Sequence, residues 1–157
     1  MNRKRILSIL IVIMLCVIWG NSMLSRQISG RISDTVMEGM NYMAEKLGLG
    51  ADLFTVMKDQ DGDGVEEPTS FMVRKAAHVT EFAVLGVLLW LWLDGKKQAR
   101  PLLTVGLGVL TGAIDETIQI FSHRGSQVTD VLIDSCGVLL AVAVMAWLTA
   151  RQKAKAS

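Results

Sequence analysis

Three carboxylates, Glu81, Asp115 and Asp134, interrupt segments of the sequence that are otherwise apolar. A charged side chain is costly inside a bilayer, so an ionisable residue within a membrane span indicates a functional site by default. Carboxylates can exchange protons, hold cations or accept hydrogen bonds from a polar ligand. Further polar residues near them complete a candidate cluster, namely Arg74, Lys75, His78, Glu116, Gln119, Arg124 and Asp130.

The spacing of these residues predicts that three membrane helices each carry one polar face. Arg74, His78 and Glu81 follow a helical repeat, and so do Asp130 and Asp134. Because lipid does not tolerate polar stripes, these faces must point at one another or at water, and we expect them to line a polar cavity. In the span at about 101–121, the face with this repeat consists of Thr104, Gly108, Gly112, Asp115 and Gln119.

The charge balance of the cluster allows two interpretations. Its strong bases could neutralise its acids and form a salt-bridge network that only fixes the helix register. However, five carboxylates face three strong bases in this part of the sequence, and surplus buried negative charge requires protons, a cation or a ligand. His78 beside Glu81 is then a candidate proton or metal partner. No cofactor is required by the sequence, although a divalent cation would suit the acids.

Four apolar segments are long enough to position these residues inside a membrane. A hydrocarbon core of about 30 Å needs about 20 mostly apolar helical residues. Unbroken apolar runs favour helices over the alternating strands of a barrel. We therefore predict an all-α fold, a four-transmembrane-helix bundle in a single domain (1–157), with spans at about 6–24, 74–93, 101–121 and 128–148 and an outer loop at about 25–70.

Counting residues along the spans places Glu81, Asp115 and Asp134 at one depth. Each lies about 12 to 14 residues from the same end of the bundle, which is roughly 18 to 21 Å at 1.5 Å per residue. By the positive-inside rule that end is cytoplasmic, as are both termini, so the cluster lies toward the outer face. The basic groups that define this orientation are Arg3, Lys4 and Arg5, then Lys96, Lys97 and Arg100, then Arg151, Lys153 and Lys155.

The first span has a second interpretation, because its basic start, apolar stretch and Gly20-Asn21-Ser22 would also suit a cleaved signal peptide. Cleavage would leave three spans and an external N-terminus. Elsewhere, Cys16 and Cys136 lie inside apolar runs and are expected to be small core residues. The net charge of +1 gives no electrostatic reason to expect a nucleic acid as a partner.

The outer loop carries two further patterns. Asp59, Asp61 and Asp63 resemble the first half of a calcium-binding EF-hand loop, but Ser70 stands where the closing Glu belongs, so they are weak calcium ligands at most. Earlier in the loop we predict a helix that Ser33 or Asp34 caps, and its apolar stripe should pack on the bundle or lie in the membrane interface. The stripe is Ile32, Val36, Met40, Met43 and Leu47, and Gly48 and Gly50 end the helix.

Two motifs in the polar cluster resemble the VanZ-like family. The first runs from Arg74 through Lys75, His78, Glu81 and Phe82 to Leu85, and the second consists of Asp115, Glu116, Gln119, Phe121 and Arg124, continuing to Asp130, Asp134 and Gly137. The resemblance implies a multi-pass protein of the bacterial cytoplasmic membrane. It also implies a link to resistance against teicoplanin, a lipoglycopeptide antibiotic, although it supplies no mechanism.

Three functions of different classes remain open at this point. The cluster could bind the polar part of a lipoglycopeptide, a lipid-linked cell-wall precursor or a membrane lipid, with Arg74, Lys75 and Arg124 meeting phosphate or carboxylate groups. It could belong to an enzyme that uses a metal or an acid/base pair on a lipid-linked substrate. It could instead hold an accessory bundle together. Because the sequence contains no H-E-x-x-H motif and no nucleophile elbow, enzymatic turnover is the less favoured function.

Overall fold

The computed structural model describes residues 2–24, 26–48, 68–95, 98–121 and 128–156. All regular secondary structure in these ranges is α-helical, which confirms the all-α prediction. The helices in chain order are α1 (Arg3–Met23), α2 (Arg26–Lys46), α3 (Pro68–Trp92), α4 (Arg100–Phe121) and α5 (Val128–Ala156).

Four of these helices are long and apolar enough to cross a membrane, as predicted. The candidate spans are Arg3–Met23, Met72–Trp92, Arg100–Phe121 and Thr129–Lys155. The protein is therefore a multi-pass membrane protein. The last helix is longer than the predicted span, because residues 149–156 contain Ala, Gln, Lys and Arg, which favour helix, and no Gly or Pro that would end it.

One compact unit consists of α1, α4, α5 and the part of α3 that begins at His78. Its buried core is a cluster of apolar side chains from three helices. Because helices in lipid gain little from hydrophobic burial, close van der Waals packing has to hold this cluster together. The cluster consists of Ile18 of α1, Phe82, Leu85 and Leu89 of α3, and Val138 of α5.

Glycines allow the helices of this unit to approach closely. A Cβ atom at Gly137 would lie 3.0 Å from the amide nitrogen of Ala83 and would clash with the carbonyl oxygen of Val79, so α5 runs directly against the α3 backbone there. At Gly108 of α4, a Cβ would lie 2.5 Å from a methyl group of Val138. These small residues set the distances between the helices that carry the polar cluster.

A second set of contacts fixes the opposite end of this unit. Arg100, which begins α4, donates from Nε to the carbonyl oxygen of Trp90 at 2.7 Å, and its guanidinium lies 4.5 Å from the centroid of the Trp90 ring. Its Nη2 is 3.2 Å from Oδ1 of Asp94. The indole of Trp92 donates to Ser8 of α1 at 3.1 Å. The start of α1, the end of α3 and the start of α4 therefore lie together.

The other unit, residues 24–77, contains α2 and the first turns of α3. The predicted capping of α2 is wrong, because the helix begins at Arg26 and both Ser33 and Asp34 lie within it. The helix ends at Lys46, and Gly48, one of the two glycines expected to end it, follows with a φ of 72°, which suits a residue without a Cβ. Its predicted apolar stripe is exposed, whereas Met37 and Ala44 are buried. Gly50, Asp59, Asp61 and Asp63 lie outside the described residues.

Candidate functional site

Asp115 is at the centre of the polar cluster. Its side chain is fully buried, and Oδ2 accepts one hydrogen bond from the Ser22 hydroxyl of α1 and one from the Gln119 amide one turn further along α4, both at 2.8 Å. Gln119 also lies 3.4 Å from the Ser22 hydroxyl. Two neutral donors thus fix the orientation of this carboxylate.

Glu81 of α3 accepts a hydrogen bond from Asn21, the residue of α1 that precedes Ser22. The amide of Asn21 donates to Oε1 of Glu81 at 2.6 Å. Because Asn21 and Ser22 are consecutive, the end of α1 contacts the carboxylates of both α3 and α4. In the sequence, these two residues stand out only as part of a possible signal-peptide cleavage site. The signal that could have revealed them is their position, since they are the polar residues that end an apolar span.

His78, Asp115 and Asp134 converge from three different helices. Each offers one ligand atom, and these atoms all lie within 4.8 Å of one another. Nδ1 of His78 is 3.7 Å from Oδ1 of Asp134. His78 is partly buried, and both aspartates are buried. This arrangement brings the three polar helix faces to one point.

The α4 face explains how Asp115 reaches this position. Thr104, Gly108, Gly112, Asp115 and Gln119 are all buried, as the helical repeat predicted. A Cβ at Gly112 would lie 3.7 Å from the Cβ of Asp134 and 3.7 Å from the Phe82 ring, so α4 passes close to both neighbouring helices. The small residues of this face therefore bring its carboxylate next to that of α5.

Two carboxylate oxygens in the cluster retain unused acceptor capacity. Within the part of the chain that the structure describes, neither Oδ1 of Asp115 nor Oε2 of Glu81 has a hydrogen-bond partner, and both atoms are buried. A buried polar atom left without a partner is costly. These oxygens are therefore suited to receive a proton, a cation or a donor group of a ligand.

The remaining predicted residues take several places. Glu116 is buried on α4 but does not belong to the group of three converging ligand atoms. Asp130 is half-buried in the first turn of α5. Arg74 and Lys75 are half-buried on α3 and belong to the unit that contains α2. Arg124 lies between α4 and α5, outside the described residues.

Comparison with known proteins identifies the family. No curated protein and no solved structure matches the chain. A family model described as VanZ/LLP1 matches residues 7–149, a range that includes all four spans in large part and every polar residue of the cluster. The match agrees with the resemblance that the two polar motifs indicate. The chain belongs to the VanZ/LLP1 family.

Proposed function

We propose that this VanZ-like membrane protein binds the polar part of a lipid-linked or lipophilic cell-envelope ligand in an outward-facing cavity, and that binding is linked to teicoplanin resistance. The observation that carries this proposal is the pair of buried oxygens, Oδ1 of Asp115 and Oε2 of Glu81, that have no hydrogen-bond partner among the described residues. Because a buried acceptor without a hydrogen-bond partner is costly, a ligand that donates hydrogen bonds to these two oxygens would bind favourably.

The chemistry of the cluster indicates what such a ligand must offer. An ionised carboxylate accepts hydrogen bonds and donates none, so the ligand must supply donors such as hydroxyls, amides or ammonium groups. Sugars, amino sugars and peptides carry these groups, and both lipoglycopeptides and lipid-linked cell-wall precursors combine them with an apolar chain. The apolar chain would remain in the bilayer while the polar part meets Asp115 and Glu81.

The basic residues complete the proposed recognition. Arg74 and Lys75 precede His78 on α3, and Arg124 follows α4 in the sequence. A phosphate or carboxylate on the ligand would bind such residues, and an arginine can bind either group with two parallel hydrogen bonds. The positive-inside rule predicts that the outer ends of α3 and α4 face the side of the membrane where cell-envelope ligands are found.

Antibiotic susceptibility tests the proposal in cells. A teicoplanin-sensitive Gram-positive host would express the native chain, Glu81→Gln, Asp115→Asn, or the control Glu38→Gln on the exposed surface of α2. Teicoplanin and vancomycin susceptibility would be measured alongside the amount of protein in the membrane. We expect the native chain and the control to protect, more against teicoplanin than against vancomycin, and the two cluster variants to lose protection at unchanged abundance.

The other outcomes separate the alternative functions. If protection and abundance fall together in the cluster variants, the polar network is structural and the binding proposal fails. If protection is lost at normal abundance and a chemically altered lipid or drug accumulates only with the native chain, the protein is an enzyme rather than a binding module. Unaltered lipid and drug, with protection lost, support binding without turnover.

A further inference from the structure

We propose that His78, Asp115 and Asp134 form a binding site for one divalent transition-metal ion within the membrane-spanning bundle. The three side chains come from α3, α4 and α5, and their ligand atoms lie within 4.8 Å of one another. One imidazole and two carboxylates are common metal ligands, and each comes from a rigid helix rather than from a loop. This inference goes beyond ligand binding; it shares Asp115 with the proposed function, but it is tested by metal content rather than by antibiotic protection.

The distance between the His78 and Asp134 ligand atoms suits a shared metal ion better than a direct hydrogen bond. Nδ1 of His78 and Oδ1 of Asp134 are 3.7 Å apart, which is too far for a hydrogen bond. Metal–ligand bonds of about 2.1 Å place two ligands roughly 3.4 Å apart at a tetrahedral angle. Side-chain rotations that shorten the separations between the three ligand atoms, from at most 4.8 Å to roughly 3.4 Å, would therefore bring all three to bonding distance of one ion.

The hydrogen bonds of Asp115 provide an independent observation. Ser22 and Gln119 both donate to Oδ2, and Oδ1 of this fully buried side chain has no hydrogen-bond partner within the described residues. A carboxylate that ligates a metal through one oxygen is commonly held through the other by neighbouring donors. Ser22 and Gln119 thus position the Asp115 carboxylate through Oδ2 and leave Oδ1 available to bind a metal ion.

Electrostatics favours an ion at this point. Asp115 and Asp134 are 0% and 3% exposed, so two carboxylates meet with little water to screen their repulsion. A divalent ion bonded to both would offset the repulsion between them. Two buried carboxylates and an imidazole converging on one point therefore resemble a ligand set more than a simple salt bridge.

The ligand types indicate which ions would bind. Calcium and magnesium prefer oxygen ligands, whereas imidazole suits zinc and other first-row transition metals, and carboxylates also suit manganese. One nitrogen in three ligands therefore favours zinc or manganese. Three protein ligands leave at least one coordination position open, which a phosphate, a carboxylate or water could occupy.

Metal analysis of the full-length protein tests this inference. The chain would be purified without chelator, reconstituted in lipid nanodiscs, exchanged into metal-free buffer and titrated with Mn²⁺ or Zn²⁺, with bound metal measured by mass spectrometry. We expect about one ion per chain, and a loss of at least tenfold in affinity for Asp115→Asn, Asp134→Asn and His78→Gln. Asp94→Asn, which removes an exposed carboxylate next to Arg100, should bind metal like the native chain.

A second measurement starts from the native chain and so does not depend on the folding of the three ligand variants. With Mn²⁺ bound to the native chain, pulsed electron paramagnetic resonance should detect coupling to one imidazole nitrogen. Ser22→Ala should keep that signal and weaken affinity by about 10- to 100-fold, because it removes a donor that positions Asp115. Absence of stoichiometric metal, absence of nitrogen coupling, or equal loss of metal in Asp94→Asn would overturn the site. Failure here leaves the susceptibility test of ligand binding unaffected, since that test requires no metal.

Discussion

Gly137→Ala should separate α5 from α3 and weaken the whole bundle. The added Cβ would clash with the carbonyl oxygen of Val79 and lie 3.0 Å from the amide nitrogen of Ala83, and neither backbone atom can rotate away. Overpacking of this kind costs about 1–3 kcal/mol. The helices would have to move apart, which also weakens the dispersion contacts around Gly137.

A matched control exists on α4. Gly106 lies in the same membrane-spanning set of helices, but a Cβ there meets nothing within 4 Å. Alanine is favoured over glycine inside a helix by about 0.5–1 kcal/mol, so Gly106→Ala should leave the protein unchanged or slightly more stable. The free energies of unfolding of the two variants should therefore differ by about 1–4 kcal/mol, with Gly137→Ala the less stable.

Equilibrium unfolding provides the assay. Native protein and both variants would be unfolded with increasing SDS in mixed micelles, and helicity would be followed by circular dichroism. Because Gly137 lies one turn after Asp134 and Val79 directly follows His78, Gly137→Ala should also widen the 3.7 Å gap between those two side chains and reduce metal affinity. Equal stability of the two variants would refute the close packing of α3 and α5 on which the site depends.

Three further substitutions test other parts of the account. Phe82→Ala removes a fully buried ring and should lower the free energy of unfolding by about 3–5 kcal/mol, measured in the same SDS titration. Arg100→Gln removes the guanidinium hydrogen-bonded to Trp90 and should cost about 2 kcal/mol; no change in stability would show that this contact contributes nothing. Ser22→Ala should reduce teicoplanin protection at unchanged abundance, whereas full protection would argue against a role for α1 in positioning Asp115.

The fold could be predicted from the sequence because the length and hydropathy of a segment largely determine whether it forms a membrane span. The number of spans follows from the apolar runs, and the buried face of α4 follows from the helical repeat of Thr104, Gly108, Gly112, Asp115 and Gln119. The glycines after α2 predict its end, and the helix stops at Lys46, two residues before Gly48. These features depend on local chemistry, which the sequence displays directly.

Features that depend on contacts between helices were harder to predict. A helical repeat identifies a polar face but not the residues of another helix that meet it, so the contacts of Asn21 with Glu81 and of Ser22 with Asp115 were not predicted. The charge pattern identifies Arg100 only as one of the basic residues of the cytoplasmic side, and it does not reveal that Arg100 is buried against Trp90. The start of α2 was misplaced because Ser33 and Asp34 are good capping residues that also occur within helices.

The most direct test of the central claim examines what the protein carries from the membrane. Native chain, Glu81→Gln, Asp115→Asn and the α2 control Glu38→Gln would be purified in parallel from the same host, and bound lipids would be extracted and identified by mass spectrometry. We predict one defined lipid-linked molecule, enriched with the native chain and the control and depleted in both cluster variants. Identical lipid profiles from all four well-folded proteins would contradict the claim that Glu81 and Asp115 bind a cell-envelope ligand.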